Sequence, residues 1–349
     1  MTRTNSKKSF LITVFALLLV LVLQACGGNN SAPASSSAPA SSSAPEGSEQ
    51  AESPQVKAPS ALRVGYIGNN KLNFPGGAEG WGFYKGQITE AFKELGVEEI
   101  TFVGFTGGPD LNESLIAGRV DVGIYGDTPA ITSHAKGAPT KLIGQPSSSI
   151  IIYLIGKKDG PQTVADLKDQ QVATQKGSVL HRFTAGILKQ EGVAESANLI
   201  QLNASDVEAA LARGDIAAGS LNGGTALAVL DKGYPLLAKS SDSPSLSGSL
   251  ATVVTESYLK KFPELPRIWN ELREASLADL KTKPEEYYQY LSDLTGQPLE
   301  IVKKTDPIEN ISESAFTELS LQQLEEVKQF LLDEQLITDN FSVEDWIAR

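Results

Sequence analysis

Residues 104–137, GFTGGPDLNESLIAGRVDVGIYGDTPAITSHAKG, decide the fold of this chain. Apolar residues recur at helical spacing after the first pair of glycines, and VDVGIY then forms a short apolar strand. Pro129 follows the next turn and suits the start of another helix. The pattern predicts two consecutive strand–turn–helix units, whose turns are Gly107-Gly108 and Gly126-Asp127-Thr128.

The two turns are expected to meet at one edge of a sheet. In a parallel sheet the carboxyl ends of the strands share an edge, where each following helix presents free N–H groups and its positive dipole end. Such an edge suits a small anion. We predict an anion site there, with contacts from Gly107, Gly108, Gly126 and Thr128. Asp127 is interpreted as a helix cap or, for a ligand that carries an amine, as the partner of that amine.

Segments on both sides repeat this alternation of strands and helices. Residues 61–68 and 99–105 are apolar strands around an amphipathic helix at 86–95, whereas the glycine-rich residues 71–80 are predicted to form a loop. This order favours a mostly parallel sheet. The fold class is therefore α/β, with two Rossmann-like lobes joined by two crossing strands and a helical C-terminal portion packing on lobe one.

Two apolar runs are interpreted as the crossings between the lobes. The run IIIYLI ends at residue 155, and LSGSLATVVT begins at residue 246. The predicted divisions are residues 61–155 for the first part of lobe one, 156–245 for lobe two, and 246–349 for the return crossing and the C-terminal helices of lobe one.

Lobe two is predicted to add two more turns to the anion site. The strand QVAT precedes the turn KGS, and a later strand precedes NGGT. Glycine amides and hydroxyl groups at helix N-termini can satisfy the oxygens of an anion without a counter-charge. The candidate ligand-binding residues of this lobe are Lys176, Gly177, Ser178, His181, Asn222, Gly223 and Thr225. Asn69, after the first strand, and Ser149, before the first crossing, complete the predicted site.

The first sixty residues are predicted to be a targeting segment and a tether. Residues 1–25 have a positive start and an apolar run too short to span a membrane comfortably, which is typical of a signal peptide. The ending Leu-Gln-Ala-Cys resembles the lipobox of bacterial lipoproteins, which implies cleavage before Cys26 and a lipid on its sulfur. An ordinary signal peptide with an incidental cysteine is the alternative. Residues 26–60 are the lipidated cysteine and a disordered Ser/Ala/Pro-rich tether.

Composition and missing motifs exclude several classes of function. The net charge is −12 and no basic stripe is present, which argues against a nucleic-acid partner. With two histidines and one cysteine, the chain lacks the ligand clusters of zinc or copper sites, and no cofactor is predicted. The sequence has no Gly-x-Ser-x-Gly elbow, no HExxH and no P-loop spacing, so we do not expect an enzyme.

Six motifs occur in order along the folded part of the chain. They are LRVGY (62–66), FTGGP (105–109), AGRVDVG (117–123), GDTPA (126–130), TVADLKD (163–169) and VATQKGS (172–178). Together they resemble the substrate-binding proteins of ABC importers, in the aliphatic sulfonate, taurine and nitrate group. The resemblance covers about residues 61–238. It departs from the family at GSLNGGT (219–225), where sulfonate members often carry a tryptophan and an Asp-Pro pair.

The resemblance implies a periplasmic-binding-protein type II fold that captures a small organic anion between two lobes. It also implies hinge closure and delivery to a membrane permease and its ATPase subunit. The protein is then expected to be a monomer outside the cytoplasm, held to the cell membrane by its lipid anchor. We interpret the ligand as an aliphatic sulfonate, such as taurine or an alkanesulfonate.

Several alternatives stay open at this point. The ligand alternatives are nitrate or bicarbonate, and a thiamine-precursor pyrimidine or other heterocycle stacked on Trp81, Phe83 or Tyr66. A ligand-sensing adaptor and an enzyme are the alternative classes of protein.

Overall fold

Two five-stranded sheets organise the part of the chain that the structure describes, residues 57–68 and 70–349 of a computed structural model. The strands of the first sheet are β1 (Ala61–Ile67), β2 (Glu99–Phe105), β3 (Val122–Gly126), β4 (Thr140–Gly144) and β10 (Leu250–Thr255). The strands of the second sheet are β5 (Ile152–Gly156), β6 (Gln171–Thr174), β7 (Asn198–Gln201), β8 (Ala218–Asn222) and β9 (Leu236–Lys239).

Both sheets are mixed, with the same arrangement of parallel and antiparallel strands. The first has the order β2-β1-β3-β10-β4, in which β1 pairs in parallel with β2 and β3 while β10 runs antiparallel to both of its neighbours. The second has the order β7-β6-β8-β5-β9, in which β5 is the antiparallel strand. Each lobe thus receives one strand from a crossing of the chain.

The first crossing lies earlier than the sequence indicated. Residues 152–155 were assigned to lobe one, but β5 pairs with β8 and β9 of the second sheet. The prediction erred because a fully apolar strand fits the buried centre of either sheet equally well.

Helices cover the faces of both sheets. Those of lobe one before the first crossing are α1 (Gly77–Tyr84), α2 (Gln87–Glu94), α3 (Gly108–Ile116) and α4 (Asp127–Ala135). Those of lobe two are α5 (Val179–Gln190), α6 (Ala204–Arg213) and α7 (Gly223–Asp231). The C-terminal helices are α8 (Glu256–Leu259), α9 (Leu265–Thr282), α10 (Pro284–Thr295), α11 (Leu299–Thr305), α12 (Glu318–Asp333) and α13 (Val343–Trp346).

Helix α1 occupies residues that the sequence predicted as loop. Glycine is a poor helix former, so the glycines of residues 76–82 argued against a helix. In the structure these glycines allow close packing that a side chain would prevent. A Cβ at Gly80 would lie 1.9 Å from the carbonyl oxygen of Pro75, and a Cβ at Gly82 would lie 2.1 Å from the hydroxyl of Ser276. Close packing of α1 at these glycines therefore outweighs their low helix propensity.

The C-terminal helices pack mainly on lobe one but also contact lobe two. Helix α9 packs against α1 and α12 packs against α4, whereas α11 packs against α7. Lys189 of α5 also forms an ion pair with Glu334 after α12. With this addition the predicted α/β two-lobe fold is confirmed.

Three sequence predictions lie outside the described residues: the signal peptide, the lipidation of Cys26, and the ligand contact of Asn69. Nearly all of the predicted tether lies there as well. Across the described part of the chain, no helix combines the length and the apolar character needed to span a membrane.

Candidate functional site

A cavity of about 370 Å³ lies between the two lobes. The ends of β1, β3 and β8 reach it through Ile67, Gly126 and Asn222, so it lies at the carboxyl ends of strands from both sheets. This is the edge at which α/β folds bind ligands.

Five helices point their N-terminal ends at this cavity. Their N-cap residues, Gly76 of α1, Gly107 of α3, Gly126 of α4, Ser178 of α5 and Asn222 of α7, all line it. The caps of α1, α3 and α7 make no side-chain hydrogen bond to the first turn, so the first amides of these helices remain available to a ligand. The site therefore carries a concentrated positive potential without requiring a cation.

Two glycines allow the lobes to approach each other beside the cavity. A Cβ at Gly126 would lie 2.7 Å from Cγ1 of Val179 in lobe two, and a Cβ at Gly107 would lie 2.4 Å from Nε2 of Gln175. The same Nε2 donates a 2.9 Å hydrogen bond to the carbonyl oxygen of Thr106. These contacts join the lobes in a closed arrangement.

Asp127 and Thr128 do not line the cavity, although the sequence predicted them there. Both are fully buried beside it. The Asp127 carboxylate accepts 2.8 Å hydrogen bonds from the N–H and the hydroxyl of Ser249, and the Thr128 hydroxyl accepts a 3.1 Å hydrogen bond from Nε of Arg182. The sequence pattern predicts the turn, but it does not show that the side chains of the turn hydrogen-bond to other residues of the protein.

The remaining predicted residues divide into two groups. Gly107, Gly108, Gly126, Ser149, Ser178, Asn222 and Gly223 line the cavity, whereas Lys176, Gly177, His181 and Thr225 do not. His181 turns back on its own loop, where its Nδ1 accepts a 3.3 Å hydrogen bond from the Gly177 N–H. Burial, reinforced by the nearby Lys176, lowers the pKa of His181.

Sequence reasoning missed the ionisable residues of the cavity wall. These are Glu79 of α1, Asp306 at the C-terminal end of α11, and Tyr287 of α10. The sequence does not indicate that Glu79 and Asp306, which are 227 positions apart, line one cavity. Only the packing of α10 and α11 brings them there. The described residues that line the cavity include no lysine, arginine or histidine.

The two carboxyl groups lie in different environments, since Glu79 is buried and Asp306 is exposed to solvent. Burial raises the pKa of Glu79, and the positive charge of Arg273 offsets part of that rise. The Asp306 carboxylate accepts a 2.5 Å hydrogen bond from the Thr305 hydroxyl. Burial raises the pKa of Tyr287, and the charge of Asp306 raises it further.

The aromatic side chains proposed for a heterocycle lie mostly elsewhere. Trp81 is buried against Tyr287 and Tyr290, and its Nε1 donates a 2.8 Å hydrogen bond to Asp279. Phe83 is buried in the core of lobe one. Of the three aromatic residues proposed, only Tyr66 lines the cavity.

Comparison with known proteins places the chain in a family. A model of the family described as "NMT1/THI5 like" matches residues 81–286. A protein of Escherichia coli (strain K12) that is named as an aliphatic sulfonates-binding protein is 32% identical to this chain over 168 residues. This alignment covers 47% of the chain and spans half the length of the relative.

Solved structures share the fold at lower sequence identity. The alkanesulfonate-binding protein SsuA of Xanthomonas axonopodis pv. citri, bound to MOPS, is 21% identical with a TM-score of 0.66, and the match covers 83% of this chain and 98% of that one. A mutant of DSZB in complex with biphenyl-2-sulfinic acid is 15% identical with a TM-score of 0.64 over 82% and 96% of the two chains. DSZB is a desulfurization enzyme, so one fold serves binding proteins and an enzyme. The resemblance inferred from the six sequence motifs is confirmed.

Proposed function

The chain belongs to the NMT1/THI5-like family, and on that premise we propose that it is the substrate-binding protein of an ABC importer for an aliphatic sulfonate. The sulfonate is held in the cavity between the lobes. The relative from Escherichia coli, which is named for aliphatic sulfonates, supports this choice of ligand.

The observation that carries the proposal is the convergence of five helix N-termini on one cavity. A sulfonate has three acceptor oxygens and one delocalised charge, which matches several backbone N–H donors arranged around it. Backbone N–H donors come from lobe one at Gly107 and Gly108, and from lobe two at Val179 and Gly223. One anion can therefore bridge the two lobes.

Bridging couples ligand binding to lobe closure. A ligand that contacts both lobes binds the closed state more tightly than the open state, so it shifts the population toward closure. Closure also removes water and strengthens the attraction between the helix ends and the anion. We propose that the closed form is then recognised by the permease, which receives the ligand with the help of its ATPase subunit.

A lipid anchor on Cys26 completes the proposal. The motif Leu-Gln-Ala-Cys suits lipidation, and acyl chains hold a protein at a membrane surface without a spanning helix. The protein then acts outside the cytoplasm as a monomer, close to its permease.

A heterocyclic ligand is the second candidate. Tyr66 and Tyr287 line the cavity together with Glu79 and Asp306, and such a set suits an aminopyrimidine. Nitrate and bicarbonate are less suited, because they are smaller than a cavity of about 370 Å³.

A thermal-shift panel tests the proposal. The purified protein is heated with alkanesulfonates, taurine, sulfate, nitrate, bicarbonate and a thiamine-precursor pyrimidine. A ligand at 100 times its Kd adds about 2.7 kcal/mol to the free energy of unfolding. Sulfonates are expected to raise the melting temperature most.

Paired serine variants link the shift to the cavity. Ser178→Ala removes the cap of α5, so the variant itself is less stable, and the measured quantity is its ligand-induced shift. That shift should shrink, whereas Ser196→Ala, outside the cavity, should keep the full shift. A panel in which only the pyrimidine stabilises the protein would refute sulfonate binding.

A further inference from the structure

One face of α9 packs against α1. Trp269, Arg273 and Ser276 share this face because they follow one another at helical spacing, and all three are buried. The ring of Trp269 lies 5.8 Å from the ring of Phe83 in α1. Arg273 belongs to this interface between the two helices and does not itself line the cavity.

The charge of Arg273 acts on the first turn of α1. Glu79 lies in that turn, lines the cavity and is only 1% exposed. The positive charge of Arg273 lowers the pKa of Glu79 and so opposes the effect of burial. The ion pair of Arg273 within 4.0 Å is to the exposed carboxylate of Glu274, at 3.9 Å. Opposite charges also attract over longer distances where water is excluded, so Arg273 stabilises the Glu79 carboxylate without a direct ion pair.

A hydrogen bond joins Arg273 to a second part of the cavity wall. Its Nη1 donates to the carbonyl oxygen of Ser312 at 2.6 Å. The N–H of Ser312 donates in turn to the carbonyl oxygen of Pro146 at 3.0 Å, and Ile311 pairs with Ser147 in an antiparallel bridge. Pro146, Ser147 and Ile311 all line the cavity. Arg273 therefore supports a wall segment that is attached to the start of the first crossing between the lobes.

Core stability alone does not account for an arginine at this position. Moving a guanidinium out of water costs free energy, and well-packed apolar side chains often stabilise a core equally well or better. Two nitrogens of Arg273, Nε and Nη2, have no hydrogen-bond partner among the described residues, so its bonds offset only part of that cost. A link between two parts of the cavity wall does account for it.

We propose that Arg273 is a positioning residue of the binding site. It holds the first turn of α1 and the segment 310–312 in the arrangement that binds the ligand, although it does not contact the ligand itself. This inference rests on the proposed function, because it takes the cavity between the lobes as the ligand site.

Hydrogen–deuterium exchange of the ligand-free protein tests the positioning. Arg273→Met removes the charge and the donors while it keeps a long side chain. Exchange should become at least about tenfold faster in the peptides that contain Gly80 and Ser312, since a hydrogen bond from a charged group contributes about that factor. The amides of both residues are hydrogen-bonded in the structure, to the carbonyl oxygens of Gly76 and Pro146. Helix α6 of lobe two, which does not line the cavity, should keep its exchange rate.

Calorimetric titration with ethanesulfonate tests the consequence for binding. Thermal melts first establish that each variant is folded at the temperature of the titration. Folded Arg273→Met should bind ethanesulfonate at least about tenfold more weakly than the wild type. If Arg273→Met does not fold, Arg273→Lys carries the test, since lysine keeps the charge but lacks the planar fork that serves two partners. Its affinity should lie below that of the wild type, with faster exchange at Ser312.

Arg267→Met is the matched control. Arg267 is an arginine of the same helix, but it is exposed, lies outside the cavity and bonds to the carboxylates of Glu264 and Glu271. Its replacement should change neither the affinity for ethanesulfonate nor the exchange of the Gly80 and Ser312 peptides.

The outcomes separate this inference from the proposed function. A folded Arg273 variant that binds ethanesulfonate as tightly as the wild type overturns the positioning role, and so does exchange that rises equally in α6. A wild-type protein that does not bind ethanesulfonate counts against the proposed function, and the exchange data then still decide whether Arg273 holds the two wall segments.

Discussion

Nε of Arg182 in α5 donates a 3.1 Å hydrogen bond to the hydroxyl of Thr128 in α4, and both side chains are fully buried. The same guanidinium donates to the carbonyl oxygens of Ser245 and Ser247 and lies 3.5 Å from the Asp127 carboxylate. One side chain of lobe two thus links lobe one to the segment that leads into the return strand.

Removal of Arg182 should strongly destabilise the protein. Arg182→Met leaves the buried Asp127 carboxylate without its cation, and breaking a buried pair from one side costs about 3–5 kcal/mol. Urea unfolding followed by circular dichroism measures the loss. Arg213→Met is the control, since the Arg213–Asp215 pair is exposed and should contribute less than about 1 kcal/mol. Equal effects of the two substitutions would contradict a structural role for the buried pair.

Gly126→Ala should weaken ligand binding through lobe closure. The backbone at this position, with φ −63°, accepts alanine, but the new Cβ would lie 2.7 Å from Cγ1 of Val179. Overpacking of this kind costs about 1–3 kcal/mol, and here it falls on the closed state alone. Affinity for the best sulfonate should drop by about tenfold, as measured by titration calorimetry.

The double variant Gly126→Ala, Val179→Ala tests that explanation. Removing the Val179 methyl groups frees the space that the alanine needs, so the double variant should bind more tightly than Gly126→Ala. If Val179→Ala brings no recovery, the clash between the lobes is not the cause of the loss.

Gly80→Ala should lower stability by about 1–3 kcal/mol. A Cβ there would lie 1.9 Å from the carbonyl oxygen of Pro75 and 2.7 Å from the hydroxyl of Tyr290, which donates to that carbonyl at 2.6 Å. Chemical denaturation measures the change. Gly76→Ala is the control, because no atom lies within 4 Å of its added Cβ. A Gly80→Ala protein as stable as wild type would refute the close packing of α1.

His134 should make the protein less stable in mild acid. Its ring stacks on Trp346 at 4.8 Å, and burial lowers its pKa to about 4. Below the ordinary pKa of about 6.5 the unfolded chain gains a proton that the folded chain resists, so stability falls as the pH drops from about 6.5 to about 4. Thermal melts across this range should show a shallower decline for His134→Phe. The same slope in both proteins would contradict a neutral, half-buried histidine.

The fold could be predicted from periodicity and turn chemistry. Strand β3 and helix α4 follow from VDVGIY and GDTP, because apolar runs and Gly-containing turns act locally. Helix α1 could not be predicted, since its glycines meet residues more than 190 positions away at Ser276 and Tyr290. Local propensity contains no information about such contacts.

The candidate site was predictable only in its backbone part. Turns such as Gly107-Gly108 and Asn222-Gly223 line the cavity because strand ends are positioned by the topology of the sheets. The hydrogen-bond partners of side chains depend on tertiary packing. For this reason the sequence predicted neither the buried bonds of Asp127 nor the position of Glu79 in the cavity wall.

The most direct test of the account is a crystal structure of the protein grown with taurine. The account predicts the ligand between the lobes, with sulfonate oxygens about 2.7–3.2 Å from amides such as those of Gly108 and Gly223. A sulfonate bound away from every helix N-terminus, or a cavity that stays empty at saturating taurine, would contradict it.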